Sequence, residues 1–354
     1  MHVYVGAYTE PQYEGKAEGI SLFDFDPRTG TLRPIGVAAR MANPSFLALD
    51  DTGRFLYAVN ELEDGGVSAF ARDPASGALT ALNSQPSHGA DPCYVSLDGD
   101  GRFALVANYT SGTVAVLPVA ADGQLGPATD VVRYEGSGPR PQQDGPHAHM
   151  IAPDPNGRFV LVTDLGTDQL YVYRLDFAAG KLVPNTSGAP TAKEQPGAGP
   201  RHFAFVPDGR TLYVINELGS TLSVYRYDGE RGVLEALHAV STLPAPFRGD
   251  NACAHVVVSP DGRFVYGSNR GHDSIAIMTV GAEQGALTLV GHVSTQGRKP
   301  RGFSLDPTGA WLLAANQGSD TILAFRRDQA TGMLTPTGEA VPSPTPAVIV
   351  FAGR

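Results

Sequence analysis

One phrase recurs along this chain and constrains its fold more than any other feature: a short apolar strand, a turn ending in Gly, a second strand ending in a polar residue, then a third strand. Six copies of the second strand are legible: Phe55-Leu-Tyr-Ala-Val-Asn60, Phe103-Ala-Leu-Val-Ala-Asn108, Phe159-Val-Leu-Val-Thr-Asp164, Leu212-Tyr-Val-Ile-Asn216, Phe264-Val-Tyr-Gly-Ser-Asn269 and Trp311-Leu-Leu-Ala-Ala-Asn316. The preceding glycines, Gly53, Gly101, Gly157, Gly209, Gly262 and Gly309, are 48, 56, 52, 53 and 47 residues apart. Such spacing marks an array of supersecondary units, and its unevenness puts the length changes in loops between them. Each copy continues into an alternating strand, as in Gly112-Thr-Val-Ala-Val-Leu117 or Ser220-Thr-Leu-Ser-Val-Tyr225. A Gly-X-Leu phrase follows, as in Gly77-Ala-Leu79, Gly180-Lys-Leu182 and Gly332-Met-Leu334. Four short strands with tight turns in one such unit make an antiparallel sheet, the blade of a propeller.

The seventh copy is split between the ends of the chain. His2-Val-Tyr-Val-Gly-Ala-Tyr8 matches the second strand, Gly19-Ile-Ser-Leu-Phe-Asp24 the third and Gly30-Thr-Leu32 the fourth, while Ala347-Val-Ile-Val-Phe351 supplies the missing first strand. A ring of sheets must close without an unpaired edge. The expected fold is therefore all-β: a seven-bladed propeller of four-stranded antiparallel blades, residues 1–354 forming a single domain closed by one C-terminal strand joining three N-terminal ones. Two unrelated β-sandwich domains would not produce a circularly permuted repeat.

Composition agrees. The chain has 42 glycines and 28 prolines in 354 residues, too many for a helical protein, while 42% hydrophobic content is ample for a core. A net charge of −10 disfavours nucleic acid as a partner. The start, Met1-His2-Val3-Tyr4-Val5-Gly6, has no basic region followed by a long apolar run, and no stretch approaches the roughly 20 apolar residues of a membrane span. A soluble cytoplasmic protein with no membrane partner is expected; no oligomeric state is assigned. Cys93 and Cys253 stand far apart without metal-finger spacing and read as small buried thiols.

The first two strands of a blade form a hairpin around the turn Gly, so residues at equal offsets from it meet at one edge of the sheet. Eight residues after each Gly stand Glu61, Tyr109, Leu165, Glu217, Arg270 and Gln317, with Tyr8 equivalent in the split blade. Eight before stand Ser45, Cys93, His149, Arg201, Ala254 and Arg301. The third blade's turn, Pro153-Asp-Pro-Asn-Gly157, reads as two residues longer, which would align His147 rather than His149 with Arg201. Both sets fall on the face opposite the Gly turns, where a propeller builds a concave site at its axis. Arg54, Arg102, Arg158, Arg210 and Arg263 follow the turn Gly in five blades and read as structural.

Polar residues that do not repeat are the better functional candidates, because a blade does not require them. Glu217 and Arg201 occupy equal offsets around Gly209 and could pair across the hairpin; with Arg270 and Arg301 near the same mouth they suit an anionic ligand and a proton-transfer group. Glu61 lies in an Asn-Glu-Leu triplet like that of Glu217. His147 and His149 share one side of a strand; ligand contact by His147 is favoured over a metal, since no third ligand stands at a telling spacing. His202 and His255 read as packed histidines. The longest interblade loops, Arg133 to Asp144, Ser187 to Gly199 and Leu243 to Asn251, enter first strands on this face and are candidate pocket walls.

The phrases Gly145-Pro-His-Ala-His, Gly199-Pro-Arg-His-Phe203, Val214-Ile-Asn-Glu-Leu218, Ser259-Pro-Asp-Gly-Arg263, Ser268-Asn-Arg-Gly-His-Asp-Ser274 and Pro300-Arg-Gly-Phe303 run through essentially the whole chain. Here it resembles the seven-bladed lactonase family of bacterial 6-phosphogluconolactonases and fungal carboxymuconate-lactonising enzymes. The resemblance implies His147, Arg201, Glu217 and Arg270 as the catalytic set. Arg301, His149, Glu61, Tyr109, Gln317 and Lys299 are the candidate substrate contacts, and no metal or cofactor is expected. The implied substrate is a small anionic lactone. For 6-phosphogluconolactone, an intermediate of the pentose phosphate pathway, Glu217 or His147 would act as acid-base, arginines would stabilise the oxyanion, and another arginine with Lys299 would hold the phosphate. An acidic lactone such as a carboxymuconate, or a non-catalytic propeller binding a peptide or protein, are the alternatives.

Overall fold

The second strands come out as the sequence pattern requires. Phe103–Asn108 and Trp311–Asn316 are buried at every residue, which accounts for their unbroken apolar runs: neighbouring blades cover both faces. The outermost strands, such as Val233–Ser241, mix exposed and half-buried residues. The computed structural model describes residues 1–186, 191–283, 285–338 and 340–353. Seven antiparallel sheets are present, each ordered first to fourth strand from the axis outward. In two of them the fourth strand is broken into two segments on the same neighbour: Lys181–Pro184 with Thr191–Lys193, and Leu334–Pro336 with Val341–Pro342. Ser187 to Pro190, the start of one predicted pocket wall, lie outside the described residues. The inner strands of adjacent blades touch one another around a closed ring.

Each turn glycine between first and second strands sits in the left-handed region, φ 64–69° from Gly53 to Gly309, which a side chain would strain. The turn arginines are surface residues, with Arg102 on Asp100 at 2.8 Å and Arg263 on Asp261 at 3.1 Å, pairs of little energetic weight. The Gly-X-Leu phrase has a joining role. Tyr57, Tyr213 and Tyr266 on second strands donate hydrogen bonds to the carbonyls of Gly123, Gly285 and Gly332, in the third-to-fourth-strand turn of the next blade, at 3.1, 2.8 and 2.8 Å. Both cysteines are buried free thiols. No helix among the described residues is long and apolar enough to cross a membrane.

The split blade is assembled as expected: Pro346–Phe351, His2–Ala7, Gly19–Asp26 and Thr31–Arg40 pair in that order. At this seam the sole tryptophan, Trp311, donates to the Pro27 carbonyl at 2.7 Å and packs edge-on against Phe25, which also meets Phe351. Deleting residues 346–354 removes the buried Ala347, Val348 and Ile349 and bares the His2–Ala7 edge. At about 1.5–3 kcal/mol for each large buried aliphatic side chain, plus the lost ladder, the deletion costs a large share of a typical stability of about 5–15 kcal/mol. A lowered Tm and a red-shifted Trp311 fluorescence are expected; an unchanged Tm would contradict closure by this strand.

Candidate active site

The inner strands carry an irregularity that builds the site. In the second, third, fourth and sixth blades the register slips by one residue: Pro92 pairs with Asn108 but Tyr94 with Ala107, Ala148 with Asp164 but Met150 with Thr163, Pro200 with Asn216 but His202 with Ile215, and Pro300 with Asn316 but Gly302 with Ala315. A β-bulge of this kind leaves one residue unpaired and re-aims its side chain. The residues so placed are Cys93, His149, Arg201 and Arg301, and Ala347 occupies the same position in the closing strand. Ser45, Cys93, Arg201, Arg301 and Ala347 all border one water-sized cavity on the axis, about 20 Å³.

This register corrects the reading of the third blade. His149, not His147, is the counterpart of Arg201. The turn is not longer there: Gly157 N–H closes on the Asp154 carbonyl just as Gly101 N–H closes on that of Asp98. His147 lies two residues nearer the mouth, where its carbonyl accepts from Leu165 N–H as that of Gly199 accepts from Glu217 N–H.

Glu217 Oε2 lies 2.8 Å from both Arg201 Nε and Arg270 Nη2. The Arg201 Nε–H is not directed at an acceptor, so that contact is an ion pair without a hydrogen bond. Backbone carbonyls anchor the arginines: Arg201 donates to Ala254, and Arg270 to Ala252 and Cys253 at 3.2 and 3.0 Å. Burial pushes the Glu217 carboxyl up, but Arg270, Arg201 and Arg301 outweigh it and hold it below the ordinary carboxylate value, so it is ionised at neutral pH. Arg201 is only 2% exposed; burial, with Arg301 and Arg270 nearby, lowers it to about 10, which still leaves it cationic.

Arg301 stands over the Tyr8 ring, 5.2 Å from its centre, and the Tyr8 hydroxyl donates to the buried Glu61 carboxylate, 3.1 and 3.0 Å from its two oxygens. Ser45 also donates to Glu61. Glu61 thus forms a buried counter-charge beneath Arg301, raised by burial and opposed by that arginine. It does not line the open cleft. His149 is 4% exposed, faces Cys93 and the His202 ring, and is held neutral by burial and by Arg201 and Arg301. His202 and His255 pack below, their Nδ1 atoms 2.8 Å apart. His147 stacks on Tyr109 at 4.5 Å; its Nδ1 donates to the Tyr109 carbonyl at 3.0 Å, leaving Nε2 facing Asp144 Oδ1 at 3.1 Å. Among the described residues, no group of three or more His, Cys, Asp or Glu is arranged to hold a metal ion.

Above the arginines opens a cleft of about 1070 Å³ that brings together Glu217, Arg270, Arg301, Lys299 and Gln317. Two of the three predicted walls border it, through Arg140 and Gln142 of one loop and Asp250 and Asn251 of the other. His147, His149, Glu61 and Tyr109 are not on that lining. Arg140 and Arg298, which line the cleft too, are not among the sequence candidates; Arg140 belongs to the Arg133 to Asp144 loop and Arg298 directly precedes Lys299. At the turn end a second hollow of about 760 Å³ is lined by apolar strand residues and the repeated turn Asp and Arg, where the Arg102–Asp100 pair is exposed rather than buried.

Residues 2–351 match the family described as lactonase, 7-bladed beta-propeller. The chain belongs to this lactonase family. It is 38% identical over 349 residues to the 6-phosphogluconolactonase of Bacillus subtilis (strain 168), covering 98% of this chain and 97% of that one. It is 34% identical over 339 residues to the 6-phosphogluconolactonase of Formosa agariphila, covering 94% of each. The crystal structure of the Pseudomonas aeruginosa periplasmic gluconolactonase superposes with a TM-score of 0.93 at 34% identity, covering 99% of this chain and 98% of that one.

Proposed function

We propose that this lactonase hydrolyses 6-phosphogluconolactone to 6-phosphogluconate, a cytoplasmic step of the pentose phosphate pathway. The observation that carries the reading is the carboxylate of Glu217 set between Arg201 and Arg270 on the wall of a cation-rich cleft. The two relatives named for this reaction support the choice of substrate.

Water attacks the ring carbonyl, and the tetrahedral oxyanion collapses by expelling the ring oxygen. Glu217, ionised in the free protein, takes the proton from water. Its conjugate acid is made strong by the same arginines and hands the proton to the leaving oxygen. Arg270 and Arg301, cations lining the cleft and anchored before the substrate arrives, stabilise the oxyanion without reorganisation. Arg201, beneath them, sets the charge of Glu217. His147, held by the Tyr109 carbonyl at Nδ1 and by Asp144 at Nε2, stands beside the mouth as the alternative acid-base group. The chemistry requires no nucleotide or redox cofactor.

The test is the rate of opening of 6-phosphogluconolactone by purified protein against its spontaneous hydrolysis, beside a muconolactone. Acceleration of the phosphorylated lactone is expected. Turnover of the muconolactone alone, or of neither, would overturn the proposal.

A further inference from the structure

We infer that Arg298 and Lys299, which line the cleft together with Arg140, form a phosphate-monoester subsite at its rim, separate from the arginines that serve the carbonyl. This deepens the lactonase reading and rests on it for the identity of the ligand. The cleft has two tiers of cations. In the lower tier Arg201 and Arg270 are paired with Glu217, and Arg301 sits on Tyr8 with Glu61 behind it. In the upper tier Arg140, Arg298 and Lys299 have no carboxylate within 4.0 Å among the described residues, although all three line the cleft.

A dianion placed in the lower tier would confront Glu217 and compete for the arginines that hold it. A dianion at the rim meets unpaired cations instead, and charge-assisted hydrogen bonds to phosphate are among the strong ones. The substrate has matching polarity, because its phosphate is at the opposite end of the molecule from the reacting carbonyl.

The rim cations are also set in place by the backbone. Lys299 adopts φ 52°, unusual for a residue with a side chain, and its N–H donates to Asp273 Oδ1 at 2.8 Å. Arg298 N–H donates to Ser319 Oγ at 3.0 Å, and one arm of its guanidinium donates to the Gly318 carbonyl at 2.9 Å, leaving its other donors for a ligand. The position of Lys299, two residues before the bulge, holds Asp91, His147 and Gly199 in other blades, so the repeat does not demand a cation there. Glu14, Asp250 and Asp273 also border the cleft. The Asp273 Oδ1 oxygen is already used by the N–H groups of Lys299 and Gly271.

Calorimetric titration of the full-length protein with 6-phosphogluconate and with gluconate tests the subsite independently of turnover. The phosphorylated compound should bind more tightly to the wild type. In the exposed double variant Arg298→Ala/Lys299→Ala its affinity should fall about tenfold or more, the loss expected for a charged hydrogen bond, and approach that of gluconate. Arg140→Ala should narrow the same gap. Equal affinities in the wild type, or a gap that persists in the double variant, would overturn the subsite. Failure to open the lactone bears on the proposed reaction instead.

Discussion

Glu217→Gln is expected to lower kcat by about a hundred- to ten-thousand-fold, the range lost with a general acid-base, while the protein still folds. The amide keeps the size of the side chain and can still accept from Arg270, but it cannot take a proton from water. The direction of KM separates this from simple damage. In the wild type an anionic substrate must share Arg270 with a carboxylate 2.8 Å away; in the variant it does not, so KM should hold or fall as kcat collapses. A stopped-flow measurement corrected for spontaneous opening reads both constants. An unchanged rate would remove Glu217 from the chemistry.

Arg201→Met should cost both stability and rate. The side chain fills similar space but leaves Glu217 with one fewer neighbouring cation, and breaking a buried ion pair typically costs about 3–5 kcal/mol. The rate should fall by about a hundredfold or more, as Glu217 loses part of the charge that tunes it.

The pH dependence has a definite sign. A carboxyl whose folded value is lowered adds stability above its unfolded value and loses it as pH falls through the folded one. Glu217 is such a group, so the wild type keeps this contribution until well into acid. In Arg201→Met the opposing effect of burial gains weight, the folded value climbs, and the loss begins at higher pH. Urea unfolding followed from pH 7 to pH 3 should show the variant's deficit and its earlier acid decline. Parallel curves with no deficit would refute the clamp.

The propeller could be read from the sequence because a blade is a local object: its four strands, turn Gly and Gly-X-Leu phrase fall within one repeat. Closure was legible because a strand phrase without a partner at one end matched one at the other. Equal offsets around Gly209 brought Arg201 and Glu217 together correctly. They also place His149 level with Arg201, as the register has it; the shift to His147 comes from granting Pro153-Asp-Pro-Asn-Gly157 two extra residues, in a bulged first strand that lacks the Pro directly preceding Cys93, Arg201 and Arg301. The burial of Glu61 and His149 was also invisible: offset fixes the level of a side chain along the axis, not whether Tyr8 or Tyr109 covers it. Arg140 and Arg298 belong to connections, which follow no period.

The bulged inner strands have a consequence for how such a protein changes. Because the axial residue of each blade takes no part in the regular pairing, it can be replaced without disturbing the sheet that presents it. Ser45, Cys93, His149, Arg201, Ala254, Arg301 and Ala347 are thus the positions at which the blades differ around one shaft. Ala254 and Ala347 are the smallest of them and are buried; with only about 20 Å³ free on the axis, a larger side chain in either must displace a neighbour even though the strand pairing is untouched.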